Sequence, residues 1–382
     1  MKTQIKGVIL LALLLAAMAV VPCVSAAGDE NPDAVLTDDV DAVRASLSQV
    51  KLPDLQFDEN QEEVVVNAEL SPVAGSHVYS IPEGSIIYHS TDGMTRVFDT
   101  AGKQILVADD KKSALIKNPH GIKPATWVHE LPSGSTVDIF GNKMFATNKG
   151  KIILTIVDEN VGSAEKSLIA PLAVWNHFWF EYSEANVAGN IRYFDAYWRA
   201  PSQPPGPGSG VVDYLFNSIS TTDDEGIVQP VLAWNRAPYS GQWSIASFAL
   251  RTGRDDMISP AISVAPNHLI RGTLEYNAGQ NKWYVRTEDT TTAQVTSIYS
   301  GVGYVPDTGV KVQTAFEGWL IDSADDIPGD TTFYNMVYRD QNGNTVPITY
   351  LAMYDSASAI PPLGLNVDLS SSPGRFVLNT AN

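Results

Sequence analysis

The sequence predicts an all-β protein, with an antiparallel β-sandwich in the C-terminal half and a smaller β-rich domain before it. Two observations carry this. Alternating apolar and polar segments recur, as in Leu269-Ile-Arg-Gly-Thr-Leu-Glu-Tyr276 and Trp283-Tyr-Val-Arg-Thr-Glu288, and such alternation gives a strand one buried face. Turn pairs such as Asp92-Gly93, Ala101-Gly102, Ser133-Gly134 and Gly141-Asn142 separate the segments, at the short spacing of sandwich strands.

Residues 1–26 read as a secretory signal peptide. Lys2 and Lys6 supply the charged start, Val8 to Val21 is apolar, and Val24-Ser25-Ala26 fits the small-residue cleavage pattern. The apolar run is too short to span a bilayer. Residues 27–63 form an acidic leader, in which Thr37 caps a short helix with Val40, Val43, Leu47 and Val50 on one face.

Residues 64–160 make the N-terminal β-rich domain. Its strands are Val64-Val-Val, Ser85-Ile-Ile-Tyr88, Thr95-Arg-Val-Phe98, Gln104-Ile-Leu-Val107, Ser135 to Phe140 and Lys151 to Val157. Residues 161–189 read as an aromatic-rich connector. Residues 190–355 hold the sandwich strands, with a Pro204-Pro-Gly-Pro-Gly-Ser-Gly210 loop that cannot join a ladder. Residues 356–382 read as an irregular tail.

Composition excludes several classes. The formal net charge is −18, and loss of Lys2 and Lys6 makes it −20. That balance argues against nucleic-acid and anionic-membrane partners. Cys23, the only cysteine, lies in the signal, so the mature chain would carry no disulfide and no thiol nucleophile. There is no G-x-S-x-G elbow, no H-E-x-x-H pair and no phosphate-binding glycine loop. The histidines His77, His89, His120, His129, His177 and His268 stand at no familiar ligand spacing. Neither metal nor cofactor is expected.

Two segments carry candidate chemistry. Gly226-Ile-Val-Gln229-Pro-Val-Leu-Ala-Trp234 and Thr314-Ala-Phe-Glu317-Gly-Trp319-Leu-Ile-Asp322 each place a polar side chain inside an apolar run. Peptide hydrolysis without a metal or a nucleophilic side chain needs a base for water and a donor for the oxyanion. A glutamate and a glutamine facing each other across a sheet could supply both, if each lies within about 3 Å of one water.

The 190–355 segment resembles the eqolisins, the glutamic peptidase family of secreted acid endopeptidases. The resemblance rests on ordered motifs: Tyr197-Trp198-Arg-Ala-Pro201, Ile227-Val-Gln229-Pro-Val, Gln242-Trp-Ser-Ile-Ala-Ser-Phe248, Ile262 to Ile270, Phe316-Glu317-Gly-Trp319-Leu-Ile-Asp322, and Asp326-Ile-Pro328 before Phe333 to Tyr338. It implies a concanavalin- or lectin-like sandwich. It also implies Glu317 as general base and acid, Gln229 as oxyanion donor, and a polypeptide substrate. Trp234, Tyr239, Trp243, Trp319 and Asp322 would line the cleft. In the family pattern the glutamate directly precedes the tryptophan, whereas here Gly318 does. Strand alternation then sends Glu317 to the opposite face unless Gly318 forms a bulge. The family's site-lining tryptophan is also missing from Val212-Asp213-Tyr214-Leu215-Phe216.

The N-terminal domain fits this scheme as a propeptide. Residues 101–155 hold eight Lys and four Asp or Glu, while residues 171–360 hold ten Lys or Arg and twenty Asp or Glu. The first could dock on the second at neutral pH and loosen as carboxylates protonate. The expected location is extracellular or the cell envelope. The alternative function is a non-catalytic module of the same sandwich, for carbohydrate or envelope adhesion, with aromatic rings stacking on sugars.

Overall fold

The computed structural model describes residues 45–66, 76–77, 79–119, 121–161, 177–187, 189–236, 238–301, 303–306, 308–354, 365–369 and 375–379. Residues 1–44, which hold the expected signal peptide and Thr37, Val40 and Val43 of the expected leader helix, and parts of the connector and tail lie outside the described residues.

In the first part of the chain the strands are β1 (Val65–Val66), β2 (Ser76–His77), β3 (Ser85–His89), β4 (Met94–Phe98), β5 (Gln104–Asp109), β6 (Leu115–Asn118), β7 (Gly121–Pro124), β8 (Val128–Glu130), β9 (Ser135–Phe140), β10 (Lys143–Asn148) and β11 (Lys151–Asp158). There follow β12 (His177–Val187), β13 (Tyr193–Arg199), β14 (Val212–Thr221), β15 (Gly226–Trp234), β16 (Trp243–Arg251), β17 (Asp256–Ile258), β18 (Ile262–Val264) and β19 (Leu269–Asn277). The last are β20 (Lys282–Asp289), β21 (Gln294–Ser300), β22 (Val310–Trp319), β23 (Thr331–Arg339), β24 (Leu351–Tyr354), β25 (Asn366–Asp368) and β26 (Arg375–Asn379). The protein is all-β, as its alternation predicts. Residues 177–187, read from sequence as connector, are an 11-residue strand. Their aromatic run hides the alternation because both faces of this strand carry rings.

Two large sheets dominate the described residues. The first runs β25-β26-β23-β13-β19-β20-β21-β9-β10-β11-β3-β4-β5. The second runs β24-β12-β22-β14-β15-β16-β17-β8, with β18 also on β16. They face each other over a core that includes Trp198, Leu215, Val228, Leu232, Trp243, Ile245, Leu274, Trp283, Val285 and Phe316. Gly272 marks a close approach: a Cβ there would lie 2.1 Å from Asn217 Oδ1 and 2.9 Å from Pro230 Cβ. Buried hydroxyls bridge the sheets too, with Ser247 Oγ 2.9 Å from Thr287 Oγ1.

Strands of the 64–160 segment join both sheets. β9 pairs in parallel with β21, and β8 pairs in parallel with β17. The β6–β7 hairpin lies over the outer face of the second sheet. A separate buried cluster forms there, including Tyr214, Phe216, Val231, Phe248, Ala315 and Trp319, with Ile122 and Val128 packed against it.

Candidate active site

The covered outer face is built by register. β14 stands between β22 and β15, antiparallel to both. Directly opposed residues share a face, and so do residues two apart along a strand. Glu317 on β22 opposes Tyr214 on β14, and Tyr214 opposes Ala233 on β15. Gln229, four positions before Ala233, therefore points to the same face as Glu317. Both are fully buried.

No bulge is needed for this. β22 pairs with β14 without a break from Val212↔Trp319 to Thr221↔Val310. The irregularity lies in β12, between Trp179 and Glu181. The expectation that Glu317 needs a bulge at Gly318 is corrected by this register. Gly318 faces the inter-sheet core, where a Cβ would lie 2.6 Å from Ile321 Cγ1 and 3.0 Å from Phe180 Cε2. Glycine stands there because the core leaves no room for a side chain.

Sharing a face does not bring the two residues together. The continuous β14–β15 register aligns Gln229 with Ser218, and Ser218 opposes Gln313. Glu317 stands four positions farther along, which is about 13 Å of strand, and the two strands are about 10 Å apart. Side chains project roughly perpendicular to the sheet, so one water cannot touch both. In this structure Gln229 Oε1 and Nε2 are buried with no hydrogen-bond partner among the described residues. A Gln–Glu contact does exist in the row of Gln229: Gln313 Nε2 donates to Glu184 Oε2 at 3.0 Å, and Ser218 Oγ donates to Gln313 Oε1 at 3.0 Å.

The row of Glu317 is aromatic. Trp179 opposes it on one side and Tyr214 on the other. Burial, opposed by Arg236 and reinforced by Glu317, pushes the Tyr214 phenol above its ordinary range, so it stays a donor at every ordinary pH. Tyr214 Oη donates to the backbone carbonyl of Lys117 at 2.6 Å. That carbonyl belongs to the covering hairpin. Lys117 Nζ reaches the Gly210 carbonyl at 2.7 Å, and Asn118 Nδ2 reaches Asp256 Oδ2 at 3.1 Å. Lys123 Nζ bonds the Arg254 carbonyl at 2.6 Å and pairs with the Asp256 carboxylate.

The other sequence candidates scatter. Trp234 and Trp243 pack edge to face at 5.5 Å inside the inter-sheet core, on the face away from Gln229 and Glu317. Tyr239 sits beyond the end of β15 and donates to the Ala261 carbonyl at 3.3 Å. Asp322 is exposed past the end of β22, next to Asp326. Trp319 shares the covered face with Glu317. Sequence reasoning missed Tyr214, whose signal was its place in the segment where the family has a tryptophan.

No protein-family model matches this chain, and no curated protein matches it. Among solved structures it is similar to scytalido-glutamic peptidase with a transition state analog inhibitor. The identity is 13% and the TM-score 0.39, over 53% of this chain and 98% of that one. Aspergilloglutamic peptidase from Aspergillus niger is 16% identical at a TM-score of 0.33, over 44% and 99%. Toad ovary galectin with thio-digalactose is 7% identical at 0.24, over 36% and 91%. At these scores the likeness carries no argument for activity.

Proposed function

We propose that this chain is a secreted, acid-acting glutamic endopeptidase made as a self-covered precursor. Glu317 is the general base, and Tyr214 fills the donor position that the family resemblance gave to Gln229. The observation that carries this reading is the Tyr214 bond to the Lys117 carbonyl beside Glu317. A donor already holding a peptide carbonyl, next to a carboxylate, has the two parts hydrolysis needs. In the reaction Glu317 takes a proton from water and the hydroxyl oxygen bonds to the carbonyl carbon. Tyr214 stabilises the oxyanion. Glu317 then returns the proton to the amide nitrogen as the C–N bond breaks. Residues 115–124 act as the cover and leave the face at acid pH.

The test is digestion of unfolded casein from about pH 2 to 7 by the full chain, after acid incubation. Wild type should cleave, Glu317→Gln should not, and Tyr214→Phe should lose about 100-fold or more. Gln229→Ala should keep most activity. Loss in Gln229→Ala with retention in Tyr214→Phe would restore the Gln229 assignment. No cleavage by folded wild type would sink the enzyme reading.

One observation favours a second reading, a glycan-binding module. On the outer face of the first sheet Tyr284 stacks on Tyr299 at 4.7 Å and Tyr197 on Tyr334 at 6.2 Å. Arg271 lies over Tyr197 and pairs with Asp195 at 3.0 Å. Half-exposed rings beside charged hydrogen-bonding groups suit sugars. Glycan retention lost in Tyr284→Ala would favour this reading.

A further inference from the structure

A second cluster lies away from the Glu317 row, and nothing above uses it. His89 at the end of β3, His129 in β8 and Asp255 just before β17 converge from three parts of the chain. His89 Nε2 lies 2.9 Å and His129 Nε2 2.6 Å from the same oxygen, Asp255 Oδ2. The three donor atoms all lie within 4.8 Å of one another. His89 and Asp255 are fully buried, and the His129 side chain keeps 12% exposure.

The proton on His89 can be placed from its neighbours. Asp110 accepts three bonds: Thr95 Oγ1 at 2.6 Å and Thr126 Oγ1 at 2.8 Å on Oδ1, and Trp127 Nε1 at 2.9 Å on Oδ2. The Thr95 hydroxyl thus spends its proton on Asp110. His89 Nδ1, 2.8 Å from Thr95 Oγ1, must then be the donor of that contact. Nε2 is left aimed at Asp255. The His89 ring is held in place by stacking on Trp127 at 4.4 Å. A ring with one nitrogen anchored by an oxygen and the other aimed into a cluster is the arrangement of a metal-binding histidine.

A second observation concerns Asp255. Its Oδ1 is buried with no hydrogen-bond partner among the described residues. Two imidazoles and one carboxylate form the open donor set that zinc takes in sites with a remaining coordination position. At zinc distances of about 2.0–2.1 Å, ligand atoms in a tetrahedron lie about 3.3 Å apart. The two contacts to Asp255, at 2.9 and 2.6 Å, would open by roughly 0.4 and 0.7 Å to reach that spacing. Of the three ligands His129 lines a cavity of about 750 Å³, together with Thr95 and Thr126, which is the side from which an ion would enter.

We propose that His89, His129 and Asp255 form a divalent transition-metal site, of the zinc class, that ties the N-terminal strands to the sandwich. Both histidines come from the 64–160 segment and the carboxylate from the 190–355 segment, so the ion would cross-link them. The proposal is independent of the peptidase reading.

The test is calorimetric titration of the full chain with Zn²⁺ alone, after chelator treatment and in excess Mg²⁺, with Co²⁺ as a spectroscopic probe. One Zn²⁺ per chain should bind at micromolar Kd or tighter, and Co²⁺ should give the intense visible bands of a tetrahedral site. His129→Gln, at the most exposed ligand, should weaken binding at least about 100-fold, and Thr95→Val about 10–100-fold through the lost ring anchor. No saturable Zn²⁺ binding by wild type overturns the proposal. So does unchanged affinity in folded His129→Gln, because the ion would then sit elsewhere. If His129→Gln fails to fold, the wild-type Co²⁺ spectrum decides: octahedral weak bands would overturn the assignment.

Discussion

Gln229 and Glu317 share one face of one sheet but stand in different rows of it. Tyr214, not Gln229, is aligned with Glu317, and Gln229 is aligned with Ser218 and Gln313. Every functional expectation for the covered face depends on that offset.

Gln229 is the first place to test it. An amide buried with no hydrogen bond costs about 1–3 kcal/mol relative to an apolar side chain of the same shape. Gln229→Met should therefore raise stability by about 1–2 kcal/mol in urea unfolding, and leave acid proteolysis intact. Loss of proteolysis in a stabilised variant would show that the amide takes part in the chemistry.

Gly318 is fixed by packing rather than by catalysis. A side chain there would press on Ile321 and Phe180 in the inter-sheet core. Gly318→Val should destabilise by about 1–3 kcal/mol or more through overpacking. Gly318→Glu, which rebuilds the family's Glu-Trp pair, should fail to give a folded protein. A soluble Gly318→Glu chain with a native circular dichroism spectrum would contradict the placement of this residue.

Asp213 gives a pH dependence. It is fully buried, neither carboxylate oxygen has a hydrogen-bond partner among the described residues, and burial with Asp326 nearby holds its carboxyl well above the usual range. A carboxyl raised in the folded state binds more protons there than in the unfolded chain. Its contribution is then fully present below the ordinary carboxyl pKa and is lost as pH rises towards the folded value. Stability from this group should be greatest in acid. Asp213→Asn should flatten that part of the Tm-against-pH curve and raise Tm at pH 7. Parallel curves for the two proteins would show that Asp213 is ionised in the fold.

Lys123 secures the hairpin. It is 12% exposed, and Asp256 beneath it is 3% exposed. Removing one member of a buried pair strands the other, at a cost of about 3–5 kcal/mol. Lys123→Met should lower stability by that order and expose residues 115–124 to added trypsin or chymotrypsin. An unchanged cleavage pattern would mean that other contacts hold the hairpin down.

Much of the fold was legible along the chain. Alternation and turn pairs marked the segments that became β3, β4, β5, β9, β11 and most strands from β13 to β23, because a half-buried strand writes its period of two into its own residues. The β6–β7 hairpin and β12 were not legible. The first is too short to show a period, and the second has large side chains on both faces.

The site divides in the same way. The sequence by itself determined the all-β class, the acidic balance and the presence of polar residues inside two apolar strands. Those are properties of local composition and spacing. Only the tertiary structure decided that β14 stands between β15 and β22, that Glu317 faces Tyr214 rather than Gln229, and that Lys117 covers them. It alone joined His89 to Asp255, 166 residues apart. Strand order and register arise from which long-range pairings bury the most surface together, and no single strand carries that information.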